Sequence, residues 1–183
     1  MKETNKQQPL LEVRDLQTCF FTKQGVVRAV DGIDLVIPRG KTVGLVGESG
    51  CGKSMTSMSI MGLVAKPGRV TRGEILFQGK DLLQLPPKER RSLCGQAISM
   101  IFQEPMTSLN PVMTVSAQVR EAILVHQPKV GKAAANARVL ELFRQVGIPD
   151  PERRMRSYPH QLSGGLRQRV MIAMGMACNP ALL

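Results

Sequence analysis

Eight consecutive residues constrain this chain more than any other stretch. Gly47-Glu48-Ser49-Gly50-Cys51-Gly52-Lys53-Ser54 fit the pattern GxxxxGK followed by Ser or Thr. Glycines at 47, 50 and 52 admit backbone conformations closed to other residues, so the N–H groups of the whole loop, those of Glu48, Ser49 and Cys51 included, can turn inward around a polyphosphate. Lys53 then reaches the β and γ phosphates and Ser54 ligates Mg2+. The helix expected from Lys53 to about Leu63 aims its positive end at the same charge. The apolar run Thr42–Val46 ahead of the loop reads as a strand. Strand, glycine-rich loop and helix thus stand in the order that phosphate binding needs, and a merely structural glycine-rich turn does not explain the lysine. Many folds use such a loop, so it implies a nucleotide and leaves the function open.

The rest of the chain places that loop in an α/β context. Leu10–Leu16, Val26–Val30, Ile33–Ile37 and Glu74–Phe77 read as strands, and Ala97–Phe102, almost wholly apolar, as a strand buried on both faces. Pro86-Pro87 opens a short basic helix, Lys88–Leu93. After Gln103 the period changes. Val115, Val119, Ala122, Ile123 and His126 follow one helical face, as do Val139, Leu142, Phe143 and Val146, with Gly147 as the stop. A last helix from about Gly165 to Ala177 carries Leu166, Val170, Ala173, Met174 and Ala177 on one stripe, and Ala181-Leu182-Leu183 reads as the start of another buried strand.

Bulk properties remove several function classes. With 183 residues there is room for one domain with a small inserted subdomain. No segment approaches the roughly 18 apolar residues of a membrane span. The polar start, Met1–Pro9, reads as a disordered tail and lacks the features of a secretion signal, which points to the cytoplasm. Cys19, Cys51, Cys94 and Cys178 are scattered, without zinc or disulfide spacing. The net charge of +11 admits nucleic acid or an anionic membrane face as partners, yet aromatics are only 3% and Trp is absent. Nucleic-acid modules usually interleave aromatics with their basic residues, so no nucleic-acid partner is expected. The stripe Met55, Met58 and Met61 suits core packing better than a metal site, and His126 and His160 suit structural roles.

A second motif narrows the reading. Leu162-Ser163-Gly164-Gly165, followed by Leu166-Arg167-Gln168-Arg169, precedes the last helix. Taken alone it reads equally well as an N-capping serine with flexible glycines. Together with the phosphate loop and with Gln103 closing an apolar run, it resembles the ABC transporter ATPase family, over Leu10–Leu183. The resemblance implies an α/β fold: a P-loop NTPase core with an N-terminal antiparallel β part and an inserted ABC-type helical subdomain over residues 104–162, incomplete at the C-terminus. It also implies that Ser163, Gly164 and Gly165 bind the γ-phosphate of ATP held by the opposite subunit. Gln103 takes the place of the glutamine that senses Mg2+ and the attacking water. Phe20 takes the place of the aromatic that stacks on adenine, with Phe21 and simple core packing as alternatives. Leu166 departs from the family, where Gln is commoner, although the peptide-importer branch often has an apolar residue there.

The stretches Phe102–Pro111 and Tyr158–Leu162 resemble importers of peptides, glutathione or nickel. That likeness implies an ATP- and Mg2+-dependent subunit, peripheral on the inner face of the bacterial plasma membrane. Its partners would be transmembrane permease subunits, a second ATPase subunit and, indirectly, an extracytoplasmic solute-binding protein. The family's next elements would be a strand ending in Asp, the Glu that polarises water, and a His. None lies within the 183 residues, so the chain alone is expected to hydrolyse ATP poorly. The rival readings are a soluble ABC ATPase acting on nucleic acid or ribosomes, and a nucleotide-binding fragment without turnover.

Overall fold

The computed structural model describes residues 8–102 and 108–183. The expectations for Gln103, for the start of the helical insert at Glu104 and for residues 1–7 of the tail therefore lie outside the described residues. Two compact units divide the chain, residues 1–91 and 92–183.

The first unit is built on a four-stranded antiparallel sheet in the order β2-β1-β3-β4, formed by β1 (Leu11–Thr22), β2 (Gly25–Ile37), β3 (Gly68–Phe77) and β4 (Lys80–Asp81). β1 lies inside the sheet, paired on both edges, and holds the core residues Leu11, Val13 and Leu16. β2 is an edge strand, and Val26, Val27 and Val36 on it remain exposed. The two short strands expected over Val26–Val30 and Ile33–Ile37 are one strand. Gly32 is passed over where Leu16 pairs with Ile33 and Gln17 with Asp31, so the apparent break is a bulge rather than a turn.

Helix α1 (Lys53–Met61) packs on this sheet through a buried hydroxyl pair, Thr18 Oγ1 to Ser59 Oγ at 2.8 Å. It ends two residues before the expected Leu63, because Gly62 takes a left-handed conformation and Arg90 Nη2 donates to the carbonyl of Ser59 at 2.9 Å. Arg90 belongs to α2 (Pro87–Leu93), the short basic helix that the prolines announce.

The second unit is helical. α3 (Val115–His126), α4 (Lys132–Gln145) and α6 (Gly164–Gly175) enclose one core, and the short α5 (Pro151–Arg154) lies between α4 and α6 in the chain without burying a residue. Val119 and Ile123 of α3, Val139, Leu142 and Phe143 of α4, and Val170 and Ala173 of α6 are buried in it. These are residues that the helical periodicity singled out. Thr114 caps α3 by accepting from the N–H of Ala117. α6 stops at Gly175, short of the expected Ala177, although Ala177 is itself buried.

Three further expectations need correction. Thr42–Val46 is not a strand, and Val46 is 94% exposed. Ala97–Phe102 forms only isolated bridges, with Ile98 parallel to Leu182 and the Ser99 N–H donating to Leu182 O at 2.9 Å. A parallel strand holds its shape when neighbours pair with it and cover both faces. Among the described residues Thr42–Val46 pairs with no strand and Ala97–Phe102 meets only a few residues. Ala181 and Leu183 are accordingly exposed, not buried as expected.

Candidate functional site

The phosphate loop lies in the first unit. Its exit rests on β2, since Gly52, the N-cap of α1, has φ of 93° and a Cβ built there would stand 2.4 Å from the carbonyl oxygen of Ala29. No side chain other than glycine's hydrogen fits between that carbonyl and the helix start. Lys53 Nζ folds back over the loop, donating to the carbonyls of Gly47 at 2.7 Å and Glu48 at 2.6 Å, with Cys51 Sγ at 3.5 Å. The N–H of Cys51 donates to Glu48 O, which closes the turn. Ser54, in the first turn of α1, is exposed, and that turn carries neither a capping side chain nor an acidic residue. Its open N–H groups and the lysine form a positive cradle suited to an anion.

The donor set fits a nucleotide triphosphate, because the loop carbonyls can surrender Lys53 to phosphate oxygens that carry full charge. For a metal, no group of three or more His, Cys, Asp or Glu is gathered among the described residues. Ser54 Oγ, exposed in the first turn of α1, is the hydroxyl that would serve as a protein ligand to an Mg2+ that travels on phosphates and keeps most of its waters.

Phe20 is half-buried. Its ring, with Val64, crowds Gly68, where a built Cβ would lie 2.6 Å from Phe20 Cε1. Phe21 is more exposed, and the Arg69 guanidinium sits 4.4 Å from its ring centroid.

The second motif lies in the other unit. Ser163 is the N-cap of α6 and its Oγ accepts from the N–H of Leu166 at 3.4 Å, the ordinary capping role. Gly164 and Gly165 have no such local reason. A Cβ at either would meet nothing within 4 Å, and neither has a positive φ. Glycine inside a helix costs about 0.5–1 kcal/mol relative to alanine. Gly165→Ala should therefore raise the stability of the isolated chain by roughly 0.5 kcal/mol in urea denaturation; a loss would mean that the pair answers to packing within the chain. Leu166 is half-buried against the helical core, which accounts for an apolar side chain there. His126 packs over Gly95, and His160 stacks on Tyr158 with ring centroids 5.7 Å apart.

The structure thus gathers Gly47, Glu48, Cys51, Gly52 and Lys53 at one site and Ser163, Gly164 and Gly165 at another. Sequence reasoning missed the support that the Ala29 carbonyl gives to Gly52, which no side-chain signal announces. It also missed the contacts of Arg169, for which the basic run after the glycine pair was the available sign.

Comparison with known proteins gives a consistent picture. The ABC transporter family model matches residues 30–183. The chain is 52% identical over 175 residues to the oligopeptide transport ATP-binding protein OppD of Bacillus subtilis (strain 168), covering 95% of this chain and 49% of that protein. It is 52% identical over 174 residues to the dipeptide transport ATP-binding protein DppD of Escherichia coli (strain K12), covering 95% and 53%. The chain thus spans about half the length of these curated relatives. Among solved structures, the dimeric structure of MJ0796, a bacterial ABC transporter cassette, superposes with a TM-score of 0.81 at 25% identity, over 93% of this chain and 70% of that one. A post-hydrolysis dimer of the same cassette, bound to ADP and Pi, gives the same score. The α/β fold is therefore that of the P-loop NTPases in their ABC cassette form.

Proposed function

The chain belongs to the ABC transporter family, and on that premise we propose that it is the nucleotide-binding portion of an ATPase subunit that drives uptake of peptides or similar small solutes. The observation that carries this reading is the pairing of two anion-ready sites in one chain. One is a lysine-bearing loop at the start of α1, and the other a glycine pair at the start of α6 that faces open space. The likeness to peptide-transport ATP-binding proteins at about half identity supports the solute class.

In this reading residues 10–183 form the ATP-binding domain, with 104–162 as its helical subdomain and 1–9 as a tail. Lys53 and the loop amides hold the β and γ phosphates, and Phe20 stacks on the adenine. Ser54 and Gln103 would hold Mg2+, which offsets the charge that develops on phosphoryl transfer. Ser163, Gly164 and Gly165 complete the site of a second ATPase subunit, so nucleotide joins the two. ATP binding closes the pair beneath membrane-spanning permease partners, and hydrolysis releases it. Among the described residues no helix is long and apolar enough to cross a membrane; attachment at the inner face of the membrane is part of the proposal, by likeness to peptide-transport ATP-binding proteins.

Residues 1–183 contain no carboxylate after Glu152. On this reading residues 1–183 taken alone should turn over ATP negligibly, because they hold no carboxylate beyond α6 to orient water.

The test is ATP–Mg2+ titration of the chain, with sedimentation to follow association and phosphate release to follow turnover. ATP binding that drives pairing, weakened tenfold or more by Gly165→Ala, is the expected result. Nucleotide binding with no pairing at any concentration, or pairing indifferent to Gly165→Ala, would reject the two-site reading. Rapid turnover would reject the account of the missing carboxylate alone.

A further inference from the structure

Two residues set apart by the sequence for separate reasons meet in the second unit. Gly147 is the stop of α4, and Arg169 closes the polar run that follows the glycine pair. Arg169 Nη1 donates to the carbonyls of Val146 and Gly147, both at 2.8 Å. Gly147 has φ of 71°, and a Cβ built there would stand 2.4 Å from that nitrogen. The positive φ calls for glycine at this position, and the guanidinium tip occupies the space that a side chain there would take, so a larger residue would have to displace it. The carbonyls at a helix C-terminus lack intrahelical donors and carry the negative end of its dipole, and the guanidinium answers both.

Arg169 lies less than two turns along α6 from Ser163, so this latch fixes the end of α6 that carries the glycine pair. Among the contacts near this end, Val170 is fully buried and Leu166 half-buried against the same core. Apolar burial is non-directional and tolerates small slides or rotations. Two hydrogen bonds from one planar group to two neighbouring carbonyls do not.

We propose that Arg169 is a positioning residue, which with Gly147 holds the first turn of α6 in the attitude where Ser163, Gly164 and Gly165 receive the γ-phosphate of a nucleotide held by a second ATPase subunit. This rests on the two-site reading above. It adds that the acceptor half of the site is aligned from α4, through a charged contact that touches no phosphate.

The experiment measures ATP–Mg2+-driven self-association of the chain by sedimentation velocity, with nucleotide affinity and thermal midpoint determined separately for each variant. Arg169→Ala should weaken association at least tenfold while nucleotide affinity stays within twofold of wild type, and Gly147→Ala should do the same. Arg169→Lys, which keeps the charge and the donors on a shorter side chain without the rigid plane of the guanidinium, should recover part of the loss. Val170→Ala should lower the thermal midpoint yet leave association of the folded molecules within twofold. The proposal is overturned if Arg169→Ala associates as wild type does, or if Val170→Ala weakens association as much as Arg169→Ala. A wild-type chain that binds ATP without ever associating would instead overturn the two-site reading, and the proposal with it.

Discussion

Replacing Lys53 with alanine is expected to weaken ATP–Mg2+ binding by roughly 100-fold or more while leaving the fold of the chain nearly as stable as before. The two halves of that expectation come from the same geometry. Lys53 Nζ spends its hydrogen bonds on the carbonyls of Gly47 and Glu48, in a loop where residues 47–51 are exposed. Bonds of that kind, exchanged with water, contribute about 1 kcal/mol or less to stability. Against a triphosphate the same ammonium makes bonds to charged oxygens, worth about 1.5–3 kcal/mol each. Losing about 3 kcal/mol of these corresponds to two orders of magnitude in the dissociation constant. Fluorescence titration with ATP–Mg2+, beside a thermal melt without ligand, separates the two effects. A binding loss under fivefold would mean that the loop does not take the phosphates through this lysine. A large fall in melting temperature would mean that the lysine is mainly a clasp for its own loop.

The phosphate loop was legible in the sequence because its chemistry is local. Backbone freedom at Gly47, Gly50 and Gly52, a lysine and a hydroxyl are all fixed by neighbours in the chain, and the structure needs only α1 and β2 to hold them. The helical unit was legible for a related reason, since apolar residues at helical spacing over α3 and α4 mark which face is buried, and Val119, Ile123, Val139 and Phe143 are buried. The edges of the reading failed where the deciding partner is distant or is a backbone group. Gly62 and the reach of Arg90 end α1, the Gly32 bulge merges two expected strands, and neither appears as a periodicity. Thr42–Val46 has the composition of a buried strand, but composition states what a segment could pair with and not what is there to pair. With no strand beside it among the described residues, it forms no regular element and leaves Val43, Leu45 and Val46 exposed. Arg169 shows the same limit from the functional side: the sequence marks it as one more basic residue after a glycine pair, and only the packing of α4 against α6 shows what it grips.

Phe143→Ala should be the most destabilising single truncation in the helical unit, at about 3–5 kcal/mol. The ring is fully buried at the centre of a core that takes residues from α3, α4 and α6, and its neighbours Val139 and Leu142 are equally inaccessible. Truncation removes the largest side chain there and leaves a cavity that cannot collapse without moving three helices at once, so the loss includes the emptied contacts as well as the transfer term. Natural domains are stable by only about 5–15 kcal/mol, which makes this a large fraction of the whole. A chain of this length loses about 2–4 °C of melting temperature per kcal/mol, so a fall of roughly 10 °C is expected. Val125→Ala is the matched control, because that side chain lies on the same unit's α3 but is 68% exposed. It should change stability by less than about 0.5 kcal/mol. Chemical denaturation of both variants gives the comparison directly. If the two cost the same, α3, α4 and α6 do not share a packed interior, and the latch between α4 and α6 at Arg169 would have no rigid frame to act through.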